Sequence, residues 1–175
     1  DMTGLQTVER SDTISLAALT EEVFCDLDPV ADKHQIRLIQ TEGDCTVTGS
    51  YILLYRAVYN LVENAIKYNR PSGSVTVSIH TAESAVLEVT DTGIGISPEN
   101  QEKIFDPFYR VDKSRSRAMG GAGLGLALVS EIARQHNGQV KVTQSSEKGS
   151  TIALSLINAI LSLCALFMFA WILNT

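Results

Sequence analysis

Asp91-Thr92-Gly93-Ile94-Gly95-Ile96 is the stretch around which the chain is organised. It follows a strand-like run, residues 85–90, and offers one carboxylate and then two glycines that let a backbone come close to a flat ligand. A buried acid at a strand end is costly unless a partner hydrogen-bonds to it. An exocyclic amine, such as that of adenine, is a suitable partner. Taken alone the hexapeptide also reads as ordinary turn chemistry. Its weight comes from what flanks it.

Upstream, Ser50 is a candidate N-cap for a helix over residues 51–68. At roughly 100° per residue, Leu54, Val58, Leu61, Val62 and Ala65 share one side, while Asn60, Glu63, Asn64 and Lys67 gather opposite. A solvated face accounts for most such stripes. Two asparagines one turn apart are unusual on that view, because asparagine is a mediocre helix former. An amide oxygen aimed into a cleft is a reasonable magnesium ligand, since that ion takes oxygen donors and keeps several waters. Lys67, one turn further on, reaches far enough for a phosphate. Asn69-Arg70-Pro71-Ser72-Gly73 then stops the helix. Residues 74–80 alternate through Val75, Val77 and Ile79, and with 85–90 they predict a hairpin that delivers Asp91 to the edge of a cleft.

Downstream, Ser97-Pro98-Glu99 has the pattern of a helix start with proline first. Phe105, Phe108 and Tyr109 fall within five residues, which on its own reads as a packing cluster. Residues 111–121 carry Lys113, Arg115 and Arg117 with little to bury, which predicts a mobile segment whose cations suit polyphosphate; a solvated basic loop is the alternative. Gly121-Ala122-Gly123-Leu124-Gly125-Leu126 leads into an amphipathic helix over 124–136, closed by Asn137-Gly138. Such a turn exposes unpaired N–H groups and the positive end of the helix dipole, together an anion site. It fits neither the P-loop nor the dinucleotide-binding pattern. Residues 139–144 and 150–156 supply two more strands.

The rest of the chain is scaffold or is unresolved by pattern. From Ser15, apolar residues recur as Leu16, Leu19, Val23, Leu27 and Val30, which is helical spacing, and Pro29 is expected to kink or interrupt it. Residues 36–40 and 45–48 read as short strands, and residues 1–12 as the frayed end of a preceding element. The 175 residues allow one domain with a true core. A net charge of −6, from 14 basic and 20 acidic residues, argues against nonspecific nucleic-acid binding. Cys25, Cys45 and Cys164 are scattered, which disfavours a disulfide framework or a zinc site. The chain opens on Asp1 and is expected to be a piece of something longer. Residues 157–173 are apolar and uncharged, at the lower limit for a membrane span. A span, a helix packed on the domain or a partner, and a segment foreign to the domain all remain open.

Four blocks, in this order and spacing, resemble the ATP-binding catalytic domain of sensor histidine kinases. Asn60-Leu61-Val62-Glu63-Asn64-Ala65-Ile66-Lys67-Tyr68 is similar to the N box, Asp91–Ile96 to the G1 box, residues 105–109 to the F box, and residues 121–126 to the G2 box. The resemblance covers about residues 15–156. It implies an α/β (α+β) two-layer sandwich of the Bergerat type, with a mixed, mostly antiparallel sheet packed on helices. It also implies that residues 1–14 end a preceding dimerisation helix or linker; residues 157–175 follow it as an apolar tail, a possible membrane span.

By position, the resemblance implies that Asp91 binds the adenine amino group and that Gly93, Gly95 and Ile96 line the base pocket. Asn64 would hold Mg²⁺, with Asn60, Lys67 and Tyr68 beside the phosphates and sugar. Tyr109 and Arg110 join the nucleotide set, Lys113 and Arg115 sit in the lid, and Gly121, Gly123 and Gly125 with the N–H of Leu124 cradle the phosphates. Asn60, Glu63 and Lys67 are the candidate catalytic residues, Glu63 the weakest of them. In related gyrase-like, MutL-like and Hsp90-like ATPases a glutamate acts as base where this chain has Asn60, and an amide cannot accept that proton.

The expected function is therefore phosphoryl transfer from Mg-ATP to a histidine on a separate dimerisation domain, homodimeric in the whole protein, with a response regulator downstream. The expected location is the cytoplasmic face of a bacterial membrane. None of His34, His80 and His136 has the surroundings of an acceptor. A degenerate nucleotide-binding regulatory module and an ATPase are the alternatives. Where relatives often carry an acid shortly before the N-box helix, this chain has Gly49-Ser50, for which only a local capping difference is expected.

Overall fold

Alternation decides the sheet. Val75, Val77 and Ile79 on β4 (Ser74–Thr81) and Ala85, Leu87 and Val89 on β5 (Ala85–Asp91) turn to the same side and are buried, in antiparallel register with Val77 opposite Val89. The computed structural model describes residues 12–111 and 123–157. Within them, β2 (Arg37–Gln40), β4, β5, β7 (Gly149–Leu156) and β6 (Gln139–Ser146) form one five-stranded sheet in that spatial order. Only the β2–β4 pair is parallel. The mixed, mostly antiparallel sheet packed on helices is thus the observed architecture.

Among the described residues, three helices form the second layer: α1 (Leu16–His34), α2 (Tyr51–Lys67) and α3 (Gly125–Gln135). α2 lies in the middle, packed between α1 and α3 and over β4 and β5, and its Leu54, Val58, Leu61, Val62 and Ala65 are all buried. Each buried leucine there contributes about 1.5–3 kcal/mol over an exposed one. The tyrosines of α2 add a polar seam to α1, the hydroxyls of Tyr51 and Tyr55 donating to Glu22 and Asp26.

The structure departs from the sequence expectation in four places. Residues 12–14, assigned to a preceding segment, belong to β1 (Asp12–Ser15), which pairs antiparallel with β3 (Thr46–Gly49) and sets buried Ile14 opposite Val47. Pro29 lies inside α1 without ending it. The carbonyl that loses its donor belongs to Cys25, which is exposed, so water can replace the missing bond. Ser50 stands at the N-cap of α2 but makes no side-chain cap; its backbone N–H donates to Nε2 of His136 at 3.1 Å. The proline-led start at Ser97 yields only a 3₁₀ turn, Pro98–Asn100.

The expectations for residues 1–11, for Lys113, Arg115, Arg117 and Gly121, and for the tail after Ile157 fall outside the described residues. Among those described, no helix is long and apolar enough to cross a membrane.

Candidate functional site

A cavity of about 910 Å³ opens beside the last turns of α2, bounded by the loop after β5 and the start of α3. Asp91, at the end of β5, forms its floor. The Oδ1 of Asp91 accepts the backbone N–H of Gly93 at 2.7 Å and that of Ser150 at 3.3 Å. Burial pushes its carboxyl above the ordinary aspartate value, and the two backbone donors pull in the opposite direction. Among the described residues Oδ2 has no hydrogen-bond partner, so an acceptor remains for a donor in the cavity.

The glycines around Asp91 are where backbones meet. Gly95 has φ +78°, and a Cβ there would lie 2.0 Å from the carbonyl oxygen of Ser146. Gly149 has φ +132°, and a Cβ there would lie 1.9 Å from the carbonyl oxygen of Asp91. The β6–β7 turn therefore presses directly on the loop after Asp91, a fit that no side chain at either position would allow. A chain of hydroxyls completes the join: the N–H of Ile96 donates to Oγ of Ser145 at 2.7 Å, and that oxygen is 3.0 Å from Oγ of Ser150.

The polar stripe of α2 faces the same space. Asn60, Glu63, Asn64 and Lys67 all line the cavity, as does Tyr68 just beyond the helix. Lys67 Nζ is 3.0 Å from Oε1 of Glu63, with both side chains little more than a quarter exposed. The stripe is therefore a cavity wall. Asn60 donates from Nδ2 to the carbonyl of Arg56 at 2.7 Å. A Cβ added at Gly125 would come within 2.7 Å of the Oδ1 of Asn60, so the absence of a side chain lets α3 begin against α2.

The remaining wall comes from either side of residues 112–122. The N–H of Phe108 donates to the carbonyl of Gly123 at 3.0 Å, and Gly123 takes φ +72°. Tyr109 donates from its hydroxyl to Oδ1 of Asn100 at 2.5 Å. Tyr109, Arg110, Gly123, Leu124 and Gly125 all line the cavity.

Of the site residues expected from sequence, the structure brings together Asn60, Glu63, Asn64, Lys67, Tyr68, Asp91, Gly95, Ile96, Tyr109, Arg110, Gly123, Leu124 and Gly125. Gly93 lies behind the wall, where its N–H holds Asp91. The sequence expectation missed Ser145, Ser146, Glu147 and Ser150, which line the cavity from the β6–β7 turn. The available signal was Gly149 next to a serine, in a turn read only as a connection. Among the described residues no cluster of His, Cys, Asp and Glu is suited to a metal ion. A cation here would have to share its donors between an amide such as Asn64 and the ligand.

Residues 49–159 match the family of histidine kinase-, DNA gyrase B-, and HSP90-like ATPases. The chain is 38% identical over 162 residues to the sensor-like histidine kinase SenX3 of Mycolicibacterium smegmatis, a match covering 89% of this chain and 42% of that one. It is 43% identical over 139 residues to the sensor histidine kinase RppB of Synechocystis, covering 79% and 30% respectively. Among solved structures, the mycobacterial sensor histidine kinase MprB aligns with a TM-score of 0.72 at 28% identity, over 85% of this chain and 97% of that one. The chain thus spans less than half the length of these two relatives.

Proposed function

Since the chain belongs to the family of histidine kinase-, DNA gyrase B-, and HSP90-like ATPases, we propose that it is the ATP-binding catalytic part of a sensor histidine kinase. The reaction is transfer of the γ-phosphoryl group of ATP to a histidine on a separate dimerisation domain. The observation that carries this reading is one cavity with a half-buried carboxylate at one end and a glycine-opened helix start at the other.

The residues present fit the ligand. Asp91 can accept from the adenine amino group through Oδ2, because Oδ1 is already held by Gly93 and Ser150. Gly125, with no side chain to fill the space beside Asn60, leaves room for phosphate at the positive end of α3. Asn64 would hold Mg²⁺ through its amide oxygen, and the ion would supply positive charge to the phosphoryl group being transferred. Lys67 and Arg110 add positive charge from two different walls of the cavity.

In the transfer itself a bond forms between phosphorus and an imidazole nitrogen as the bond to the β–γ bridging oxygen breaks, and ADP leaves. Positioning and charge neutralisation carry most of such a reaction. Water is a poor competitor in this cavity: Asn60 cannot take its proton, and Glu63 is engaged by Lys67. The receiving partner is a histidine-bearing dimerisation domain of the same kinase, with a response regulator as the next acceptor.

The test is transfer from γ-labelled ATP to an added dimerisation domain that carries the acceptor histidine. Labelled histidine is the expected result, with negligible phosphate release in its absence. Binding without transfer would favour a regulatory module, and steady phosphate release without an acceptor would favour an ATPase.

A further inference from the structure

α3 meets α2 at both of its own ends, and the two contacts differ in kind. At one end Gly125 begins α3 against the amide of Asn60. At the other His136, the residue that closes α3, reaches the backbone N–H of Ser50 at the head of α2. Ser50 and Asn60 are ten residues apart, and Gly125 and His136 eleven, so the helices run antiparallel and in step between the two contacts. The eleven residues of α3 put the histidine roughly 16 Å along the helix from its start.

The imidazole is held from both sides. Its Nδ1 lies 2.8 Å from the carbonyl oxygen of Ile132, which can only accept, so Nδ1 carries the proton. Nε2 is then the bare nitrogen, and it accepts the N–H of Ser50 at 3.1 Å. His136 is only 5% exposed. Gly49 makes this possible, because a Cβ there would lie 2.5 Å from Cδ2 and 2.7 Å from Nε2 of the ring. Gly49-Ser50 is therefore the seat of this histidine as well as a helix start.

We propose that His136 is a positioning residue for the phosphate end of the nucleotide site. By fixing the far end of α3 to the head of α2, it sets where Leu124 and Gly125 stand against Asn60 and Asn64. The inference rests on the nucleotide-binding function proposed above. The adenine end has no share in the contact, since Asp91 is held by Gly93 and Ser150, and Ile96 by Ser145. Loosening α3 should thus weaken triphosphate binding and spare the base.

The experiment titrates the chain with Mg-ATP and, separately, with adenosine, following the backbone amide signal of Gly93, for the wild type and for His136→Leu, His136→Gln and Gly49→Ala. In His136→Leu the ATP affinity should fall by roughly tenfold, the lower end of what loss of an outer support costs a ligand site, with adenosine affinity unchanged. Gly49→Ala, which displaces the ring, should do the same and serves if the leucine variant does not fold. His136→Gln, whose side-chain oxygen can accept the N–H of Ser50, should recover most of the loss. Equal loss for both ligands, or no loss in a folded variant, would overturn the positioning role. A wild type that binds neither ligand would instead overturn the nucleotide reading on which it rests.

Discussion

Asp91 and Ser150 stand 59 positions apart in the chain, yet the backbone N–H of Ser150 donates to the carboxylate of Asp91 at 3.3 Å. The acid is thereby part of two structures at once, the end of β5 and the start of β7. One oxygen holds the fold together, and the other is left to the cavity. That division of labour separates effects on binding from effects on stability.

Asp91→Asn should keep the internal bonds, because the amide oxygen can still accept from Gly93 and Ser150. Its NH₂ would then face the adenine amine, donor against donor. Loss of a hydrogen bond to a charged group is worth about 1.5–3 kcal/mol, so ATP affinity should fall roughly ten- to a hundredfold. The thermal midpoint of the nucleotide-free protein should hold or rise, since a partly buried charge has been removed. Calorimetric titration and thermal unfolding together check both halves; unchanged affinity would exclude contact with the base.

The pH dependence follows from the same carboxyl. Burial raises its folded-state pKa above the unfolded value of 3.8. Its contribution to stability is therefore full below that value and is lost as pH rises through the raised folded pKa. Denaturant midpoints of the wild type, taken relative to Asp91→Asn, should decline across that window. ATP affinity should move the other way, weakening as the pH falls through the folded pKa, because a protonated carboxyl competes poorly for the adenine amine.

Two glycines should separate strain from occupancy. Gly95→Ala meets a positive φ and a carbonyl oxygen at 2.0 Å, so it should destabilise the fold by about 1–3 kcal/mol. Gly125 takes no such backbone angle, and the neighbour a methyl would meet, at 2.7 Å, is the Asn60 side chain. Gly125→Ala should unfold close to the wild-type temperature while binding ATP roughly tenfold more weakly. Thermal melts and ATP titrations of the pair test this; matching losses of stability would remove the distinction.

Lys67→Met should show the same separation on α2. The pair with Glu63 is a partly exposed i, i+4 contact at 3.0 Å, of a kind worth about 0.3–0.5 kcal/mol. The unfolding midpoint should scarcely move. ATP affinity should fall while adenosine affinity stays, a difference that parallel titrations resolve.

The sequence predicts those parts of the molecule whose geometry is local. The stripe of α2 is legible because the helical period gathers Asn60, Glu63, Asn64 and Lys67 on the side away from Leu54, Val58 and Ala65, and the β4–β5 hairpin because alternation and a short turn suffice. The β1–β3 pair is not, because four residues of β1 hold one buried apolar side chain and find their partner more than thirty residues later. Ser145 and Ser150 stay hidden for a related reason. Their hydroxyls look like turn and strand-end chemistry until tertiary contact lays the β6–β7 turn against Ile96 and Asp91. Gly49 reads as a capping difference and proves to be the space His136 occupies. Pro29 does not end α1, because the carbonyl it orphans, that of Cys25, lies where water can reach it.

On the function proposed, the cavity above Asp91 holds ATP. Titrating the chain with Mg-ATP in a calorimeter tests it most directly. One saturable site is the expected result, with the affinity roughly ten- to a hundredfold weaker in Asp91→Asn. No heat and no saturation at millimolar nucleotide would contradict the claim and, with it, the role assigned to every residue along the cavity wall.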